Sequence, residues 1–423
     1  MSSYASNDDK ATPLSIKVVS VEIPGSTVIT GNDVYDQHNK PRLRRDLLLS
    51  AIQSEYESIT SFFKLTTTEC DLVDLYGRVH DAAMIQFMLS AWEKWVEFGE
   101  DGRYDECCHP EFDASKGGVP PMVPCHSAFR NDPYERPSSN VMGQLGYYCT
   151  DTMTPICDSL VSELKGDAHV ICKAVSCSMK TPSVVYACTT HPGHHANRDN
   201  FGGYCYLNNA ALCARLMQRQ LETGKTIIVG DKIVNNYWNN SGNDEQPNKE
   251  TKCRVAIIDV DYHCGNGTAS IFYSDPDIFF VSIHCDPNIE YPFNHGHSDQ
   301  IGAGDGEGTT LHIPLAPGAT WAETYKAALE KAMTAIVEFD VSGLVISLGL
   351  DTYEGDSVAV NRAGFKLSGN DYHEMGLCMG QFMKGRNVPT VFVQEGGYKM
   401  DVVGQAAAGV VGGFSVGAGS SDE

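Results

Sequence analysis

Along the second half of the chain, short apolar runs alternate with amphipathic ones. The runs at 255–259, 278–283, 343–348 and 390–394 are almost wholly apolar, rich in Val, Ile and Phe, and end in polar or glycine-rich turns. Such runs predict strands buried on both faces. Between them, 268–273, 321–338, 371–383 and 402–411 read as helices. That alternation predicts a mostly parallel, multi-stranded sheet with helices on both faces. In the first half the pattern gives a strand at 15–23 and a helix at 42–57. A largely helical stretch follows at 72–98, with Ile85, Met88, Leu89, Trp92, Trp95 and Val96 on its apolar face. Helix and then strand run through 146–189, the strand at 183–188, followed by a helix at 208–220 and a short strand at 225–229. No repeat or linker interrupts this. The expected fold is α/β, with a single domain over 14–415, a flexible tail over 1–13 and a short C-terminal tail over 416–423.

Two stretches lack periodicity. Residues 102–137 are rich in Pro, Gly, Cys and charge, and residues 231–252 are polar and Asn-rich. Both read as loop insertions, and loops of such length are usually functional or form interfaces.

Composition narrows the function classes. With 42% hydrophobic residues the chain can bury a full core. A net charge of −23 argues against a nucleic-acid-binding surface, which needs basic stripes. That charge would focus cationic substrates, although many cytosolic proteins are simply acidic. There are 15 cysteines, with no C-x-x-C pair. This argues against a disulfide framework or a structural zinc module, and most of the cysteines are expected to be small buried residues. No run approaches the ~18 apolar residues of a membrane span. A reducing cytoplasmic or nuclear setting, away from membranes, is the expectation.

The chemistry gathers where strands end. The run at 255–259 leads into D-V-D-Y-H-C-G-N-G, and residues two apart in a strand share a face, so Asp261 and His263 can converge. A carboxylate and an imidazole together are two thirds of a catalytic zinc site. The run at 183–188 leads into T-H-P-G-H-H-A, 343–348 into G-L-D-T with Asp351, and 390–394 into E-G-G-Y with Tyr398. In a parallel sheet these ends share one rim, where ligands bind. Each cluster alone is also what a capped strand end looks like; four on one rim argue for one site. Asp261, His263 and Asp351 would then bind one metal, with His194, His195 and Tyr398 around it. Two carboxylate ligands nearly neutralise zinc, so its water needs a nearby base, which the tandem histidines supply. One moves the proton while the other, paired with Asp259, stabilises charge. The Tyr398 hydroxyl donates to the developing oxyanion. The reaction is metal-assisted amide hydrolysis.

These residues are similar to those of the histone deacetylase and acetylpolyamine amidohydrolase group of the arginase–deacetylase fold family. P-G-H-H-A is 192–196, G-Y-C-Y-L-N-N-A is 203–210, D-V-D-Y-H-C-G-N-G is 259–267, S-I-H is 282–284, and G-L-D and E-G-G-Y are 349–351 and 395–398. The likeness runs from about residue 30 to 415. L-G-Y-Y at 145–148, S-I-H-C-D-P at 282–287, S-L-G-L-D-T-Y-E at 347–354 and V-H-D at 79–81 resemble the acetylpolyamine amidohydrolase branch.

The resemblance implies the arginase–deacetylase fold and one zinc held by Asp261, His263 and Asp351. It makes His195 general base and acid, His194 its electrostatic partner and Tyr398 the carbonyl polariser. Tyr204 and Tyr291 would flank an acyl-chain tunnel, and the Gly203 carbonyl would receive the substrate N–H. Asn266 stands where many relatives carry an Asp that orients the second histidine, which implies a weaker base here. A structural potassium ion would be held by Asp259, Asp261, His263, Ser282 and Ile283, partly through backbone oxygens. A two-metal, arginase-like site needs two further carboxylates where this chain has Gly265 and Tyr353, and is rejected. The substrate implied is an N-acetylated polyamine or similar small cationic amide. The alternatives are a protein lysine deacetylase of histone type and a non-catalytic acetyl-lysine binder; the intact His194, His195 and Tyr398 argue against the latter. In this branch a loop comparable to 102–137, here with Asp105, Glu106, Glu111 and Asp113, supports a homodimer and narrows the entrance. Residues 138–142 lack the acidic residue expected near the mouth.

Overall fold

The structure is a computed structural model. It describes residues 11–21, 40–66, 69–99, 108, 112, 118–126, 130, 134–180, 182–229, 232–234, 237–238, 253–358 and 363–421. Eight strands form its central sheet: β1 (Ile16–Val21), β2 (Thr60–Leu65), β3 (Val184–Ala187), β4 (Val255–Asp259), β5 (Ile278–Cys285), β6 (Thr310–Leu315), β7 (Gly343–Leu348) and β8 (Thr390–Gln394). Their order is β2-β1-β3-β8-β7-β4-β5-β6, and every neighbouring pair is parallel.

Alternate residues of each strand feed two separate cores. Val255 and Ile257 pack with the helices Ala82–Gly99, Leu160–Ser178 and Asn209–Thr223. Ala256 and Ile258 pack with Pro41–Tyr56, Lys326–Glu338, Gly369–Met383 and Val403–Ala418 on the other face. Every residue of β4 is 0% exposed. Each buried Val or Ile contributes roughly 1.5–3 kcal/mol relative to exposure, which is why these runs lack polar alternation. This three-layer arrangement is the α/β fold expected, with the strand carboxyl ends aligned on one rim.

The departures have local causes. The helical stretch at 72–98 is two helices, Leu72–Tyr76 and Ala82–Gly99. The break is fixed by distant partners: the His80 ring meets the Asn197 carbonyl at 2.7 Å and accepts the Asn208 N–H at 2.8 Å. β2 and β6 have no counterpart in the sequence reading. Both are edge strands; β2 is largely exposed and β6 contains Pro314, and each feature weakens a strand signal. The strand expected at 225–229 is only Ile228–Val229, paired with Lys232–Ile233 outside the main sheet. The last helix runs to Ala418, and Ala11–Thr12 pairs with Ser420–Ser421, so the tails expected over 1–13 and 416–423 are shorter than drawn. Asp105, Glu106, Glu111 and Asp113, with most of 102–137 and 231–252, lie outside the described residues. Most described cysteines are buried, and the described ones are free thiols. No described helix is long and apolar enough to cross a membrane.

Candidate active site

Four strand ends converge on the rim. β4 passes into Asp261 and His263, β7 into Asp351, β8 into Glu395–Tyr398, and β3 into the turn bearing His194 and His195. His263 Nδ1 lies 3.2 Å from Asp261 Oδ1 and 3.0 Å from Asp351 Oδ2. Backbone amides fix both carboxylates: Gly396 N–H and His263 N–H donate to Asp261, and Tyr262 N–H donates to Asp351. All three side chains are buried.

The electrostatics of this trio call for a cation. Burial pushes Asp351 up to about 7, and the neighbouring Asp261 charge adds to that rise. Burial would also raise Asp261, but His194 and His263 draw it well below the carboxylate range. Burial works against the His263 imidazolium, yet hydrogen bonds to Asp261 and Asp351 carry it up to about 10. Without a metal, the proton of a charged His263 balances the two carboxylates. A divalent ion there would replace it. Zinc with ligand bonds of about 2.0–2.1 Å has tetrahedral edges of about 3.3 Å, close to the observed separations. The donor set, one imidazole nitrogen and two carboxylates, leaves a position open.

The tandem imidazoles stand 3.9 Å apart, centroid to centroid. His194 points Nδ1 at Asp259 Oδ2 (3.0 Å), and its Nε2 is 3.7 Å from Asp261 Oδ1. Burial lowers the His194 pKa, but the Asp261 and Asp259 charges outweigh it and hold His194 well above the usual imidazole range. His195 is pulled well below that range by burial, with His194 and His263 adding to the effect. One imidazole thus favours the charged form and its neighbour the neutral form. That is the division of labour expected of an electrostatic stabiliser and a base.

Half-buried tyrosines stand outside these buried groups. The Tyr291 ring packs edge-on to His195 at 4.9 Å, and the Tyr204 and Tyr398 rings lie 5.7 Å apart. Gly203 (φ +60°) brings its backbone against both His195 and Tyr291: a Cβ there would stand 2.6 Å from His195 Cδ2 and 3.0 Å from the Tyr291 hydroxyl. Asp259 and Ser282 are partners in register across β4 and β5, next to Ile283. Gly265 faces Asp259, and Tyr353 stacks on Tyr372, so neither adds a metal ligand.

Several supporting residues carry a role that the sequence alone does not reveal. The Glu395 carboxylate accepts N–H bonds from Gly193 and His194, at 2.6 and 3.1 Å. Asp167 accepts from the Thr190 and His191 amides, and Glu163 pairs with His191 Nε2 and Arg42. Buried Arg44 lies over the Tyr398 ring and reaches the Gly397 and Thr190 carbonyls. Asp151, half-buried beside the tyrosines, accepts the Gly203 N–H at 2.5 Å. It is an acidic group next to Tyr204 and Tyr291.

A model of the histone deacetylase domain matches residues 38–231 and 245–414. Acetylpolyamine amidohydrolase 1 of Pseudomonas aeruginosa is 35% identical over 337 residues, 80% of this chain and 81% of the relative. The acetylpolyamine amidohydrolase of Mycoplana ramosa is 30% identical over 80% of this chain and 82% of its own. Histone deacetylase clr3 of Schizosaccharomyces pombe is 31% identical over 53% of this chain but only 28% of its own. Among solved structures, an acetylpolyamine aminohydrolase from Burkholderia pseudomallei superposes with a TM-score of 0.68 at 24% identity, covering 88% of this chain and 90% of that one, a likeness of fold.

Proposed function

Since this chain belongs to the histone deacetylase family, we propose that its buried site hydrolyses N-acetylated polyamines or similar small cationic acetamides. The products are acetate and the free amine. The observation that carries this reading is the meeting of Asp261, His263 and Asp351 beside the unequal pair His194 and His195. Asp261, His263 and Asp351 would hold a zinc ion, which would supply a Lewis acid for the amide carbonyl and for a water molecule. His195, neutral, accepts a proton from that water as its oxygen bonds to the carbonyl carbon. His194, charged and paired with Asp259, stabilises the negative charge that develops. The Tyr398 hydroxyl, held protonated by burial, donates to the carbonyl oxygen. His195 then returns its proton to the amine nitrogen as the C–N bond breaks.

Tyr204 and Tyr291 line the approach, and the Gly203 carbonyl accepts the amide N–H. Asp151 is the group that would favour a positively charged amine chain over a neutral one. A structural potassium ion would be held by Asp259, Asp261, His263, Ser282 and Ile283, partly through backbone oxygens.

Steady-state hydrolysis of acetylputrescine, acetylcadaverine, acetylspermidine and an acetyl-lysine peptide by the purified protein tests the substrate. The acetylated polyamines should have the higher kcat/KM. Turnover of the peptide alone would replace this reading with that of a protein lysine deacetylase.

A further inference from the structure

Behind the turn that carries Asp261 and His263 lies a second convergence of donor atoms, one that hydrolysis does not use. Cys264 Sγ is 3.7 Å from His312 Nδ1, and the His284 and His312 rings stand 5.4 Å apart. One donor atom from each of Cys264, His284 and His312 falls within 4.8 Å of the others, and all three residues are buried. They come from three places: the turn after β4, the end of β5, and β6. Ser282 and His284 are two apart on β5 and so share a face. His312 is the register partner of Ser282. Sheet register, not local sequence, assembles the group.

We propose that Cys264, His284 and His312 bind a thiophilic transition-metal ion, zinc above all, at a site separate from the Asp261–His263–Asp351 centre. A thiolate and two imidazoles suit soft and borderline ions and disfavour magnesium or calcium. With Zn–S of about 2.3 Å and Zn–N of about 2.0–2.1 Å, a tetrahedral S···N edge is about 3.6 Å, close to the separation of Cys264 and His312. His284 is anchored at both ring nitrogens, by Ser282 Oγ at Nδ1 (2.8 Å) and by the Gly296 carbonyl at Nε2 (2.9 Å). Whichever nitrogen coordinates, the other keeps the hydrogen bond that orients a metal-bound imidazole. Gly296 lies across the cluster: a Cβ there would be 2.5 Å from His284 Nε2 and 3.0 Å from Cys264 Sγ. Its neighbours His295 and His297 lie close enough to His312 to act on it electrostatically. On binding, the Cys264 thiol proton leaves to solvent as the metal–sulfur bond forms, with no change of oxidation state.

Asp261, His263 and Asp351 offer only oxygen and nitrogen donors, and the one other described cluster with a thiol holds Cys205, so a thiolate-to-cobalt charge-transfer band that depends on Cys264 reports the second site. The full-length protein, stripped of metal, is titrated with Co2+ and followed by near-ultraviolet absorption and elemental analysis. Wild type should take two equivalents and show the charge-transfer band. Cys264→Ser should take one and lose the band. His312→Gln should weaken the second equivalent at least ten-fold, and it decides the matter if Cys264→Ser does not fold. A wild-type protein without the band, a band that survives Cys264→Ser, or unchanged second-site affinity in His312→Gln would each overturn the proposal.

Discussion

His195 Nδ1 lies 2.7 Å from the amide oxygen of Asn266, whereas its neighbour His194 is held by the carboxylate of Asp259. The two imidazoles are thus oriented alike but charged differently. An amide fixes the ring without favouring the imidazolium, and burial already holds the His195 pKa well below the usual range. Asn266→Asp adds negative charge at the same position and raises that pKa. His195 serves as base only when neutral. The acid limb of kcat/KM should therefore move to higher pH. A pH–rate profile with an unmoved acid limb would remove Asn266 from the tuning of the base.

His195 and Tyr398 touch neither Asp351 nor His263 through a hydrogen bond that the metal centre requires. His195→Ala and Tyr398→Phe should therefore keep wild-type zinc content while kcat falls roughly 10²- to 10³-fold. Elemental analysis beside steady-state kinetics separates the two effects. Loss of zinc in either variant would mean that the residue supports the metal rather than the reaction.

The three candidate metal ligands Asp261, His263 and Asp351 are legible because each sits just past a strand whose apolar run is itself readable, and parallel topology puts such ends on one rim. Tyr398 and the tandem histidines were legible for the same reason. Glu395 was visible in the same motif, but its work, bonding back to the Gly193 and His194 amides, depends on β3 lying beside β8. Glu163 and Asp167 are hidden more deeply. They lie within the helix Leu160–Ser178, and in sequence they look like solvated carboxylates; packing alone buries them under the 189–196 turn. Asp151 sits in an irregular segment, where no periodicity says which way a side chain points.

Gly265 is constrained by more than the metal count. A Cβ at this position would lie 2.1 Å from Asp259 Oδ2 and 3.2 Å from Phe280 Cζ. Gly265→Ala must push the Asp259 carboxylate off its bond to His194 or shift the turn carrying His263. Overpacking of this kind typically costs about 1–3 kcal/mol. A buried histidine deprived of its partner adds to the loss. Thermal unfolding should show a lower Tm, with reduced activity even below the transition; an unchanged Tm would mean that the turn yields freely.

Burial disfavours ionisation of Tyr204 and Tyr291, and the Asp151 charge, close to both, adds to that effect. Asp151→Asn removes the charge and keeps one carbonyl acceptor, giving up one of the two oxygens that take the Gly203 N–H and the Met153 N–H. KM for acetylspermidine should rise about ten-fold, about 1.4 kcal/mol, while a neutral acetamide of similar length is much less affected. Equal effects on both substrates would assign Asp151 to loop structure alone.

The clamp under the histidine turn should be visible in acid. Burial opposes the Glu163 charge, but hydrogen bonds and charge from His191 and Arg42 hold its pKa down at about 2, against 4.5 in the unfolded chain. A depressed carboxylate stabilises the fold above its unfolded pKa, and that contribution is lost as pH falls through the folded one. The window therefore lies between about 4.5 and about 2, and a shift of this size corresponds to about 3 kcal/mol. Glu163 is 2% exposed, so solvent screening takes little from that figure. Glu163→Gln removes the titrating group and leaves Arg42 without its counter-charge. Denaturant unfolding of both proteins from pH 6 to pH 2.5 should show wild type more stable at pH 6, the gap narrowing steadily with acid. A gap that is independent of pH would mean that Glu163 contributes by shape and hydrogen bonding, not by its charge.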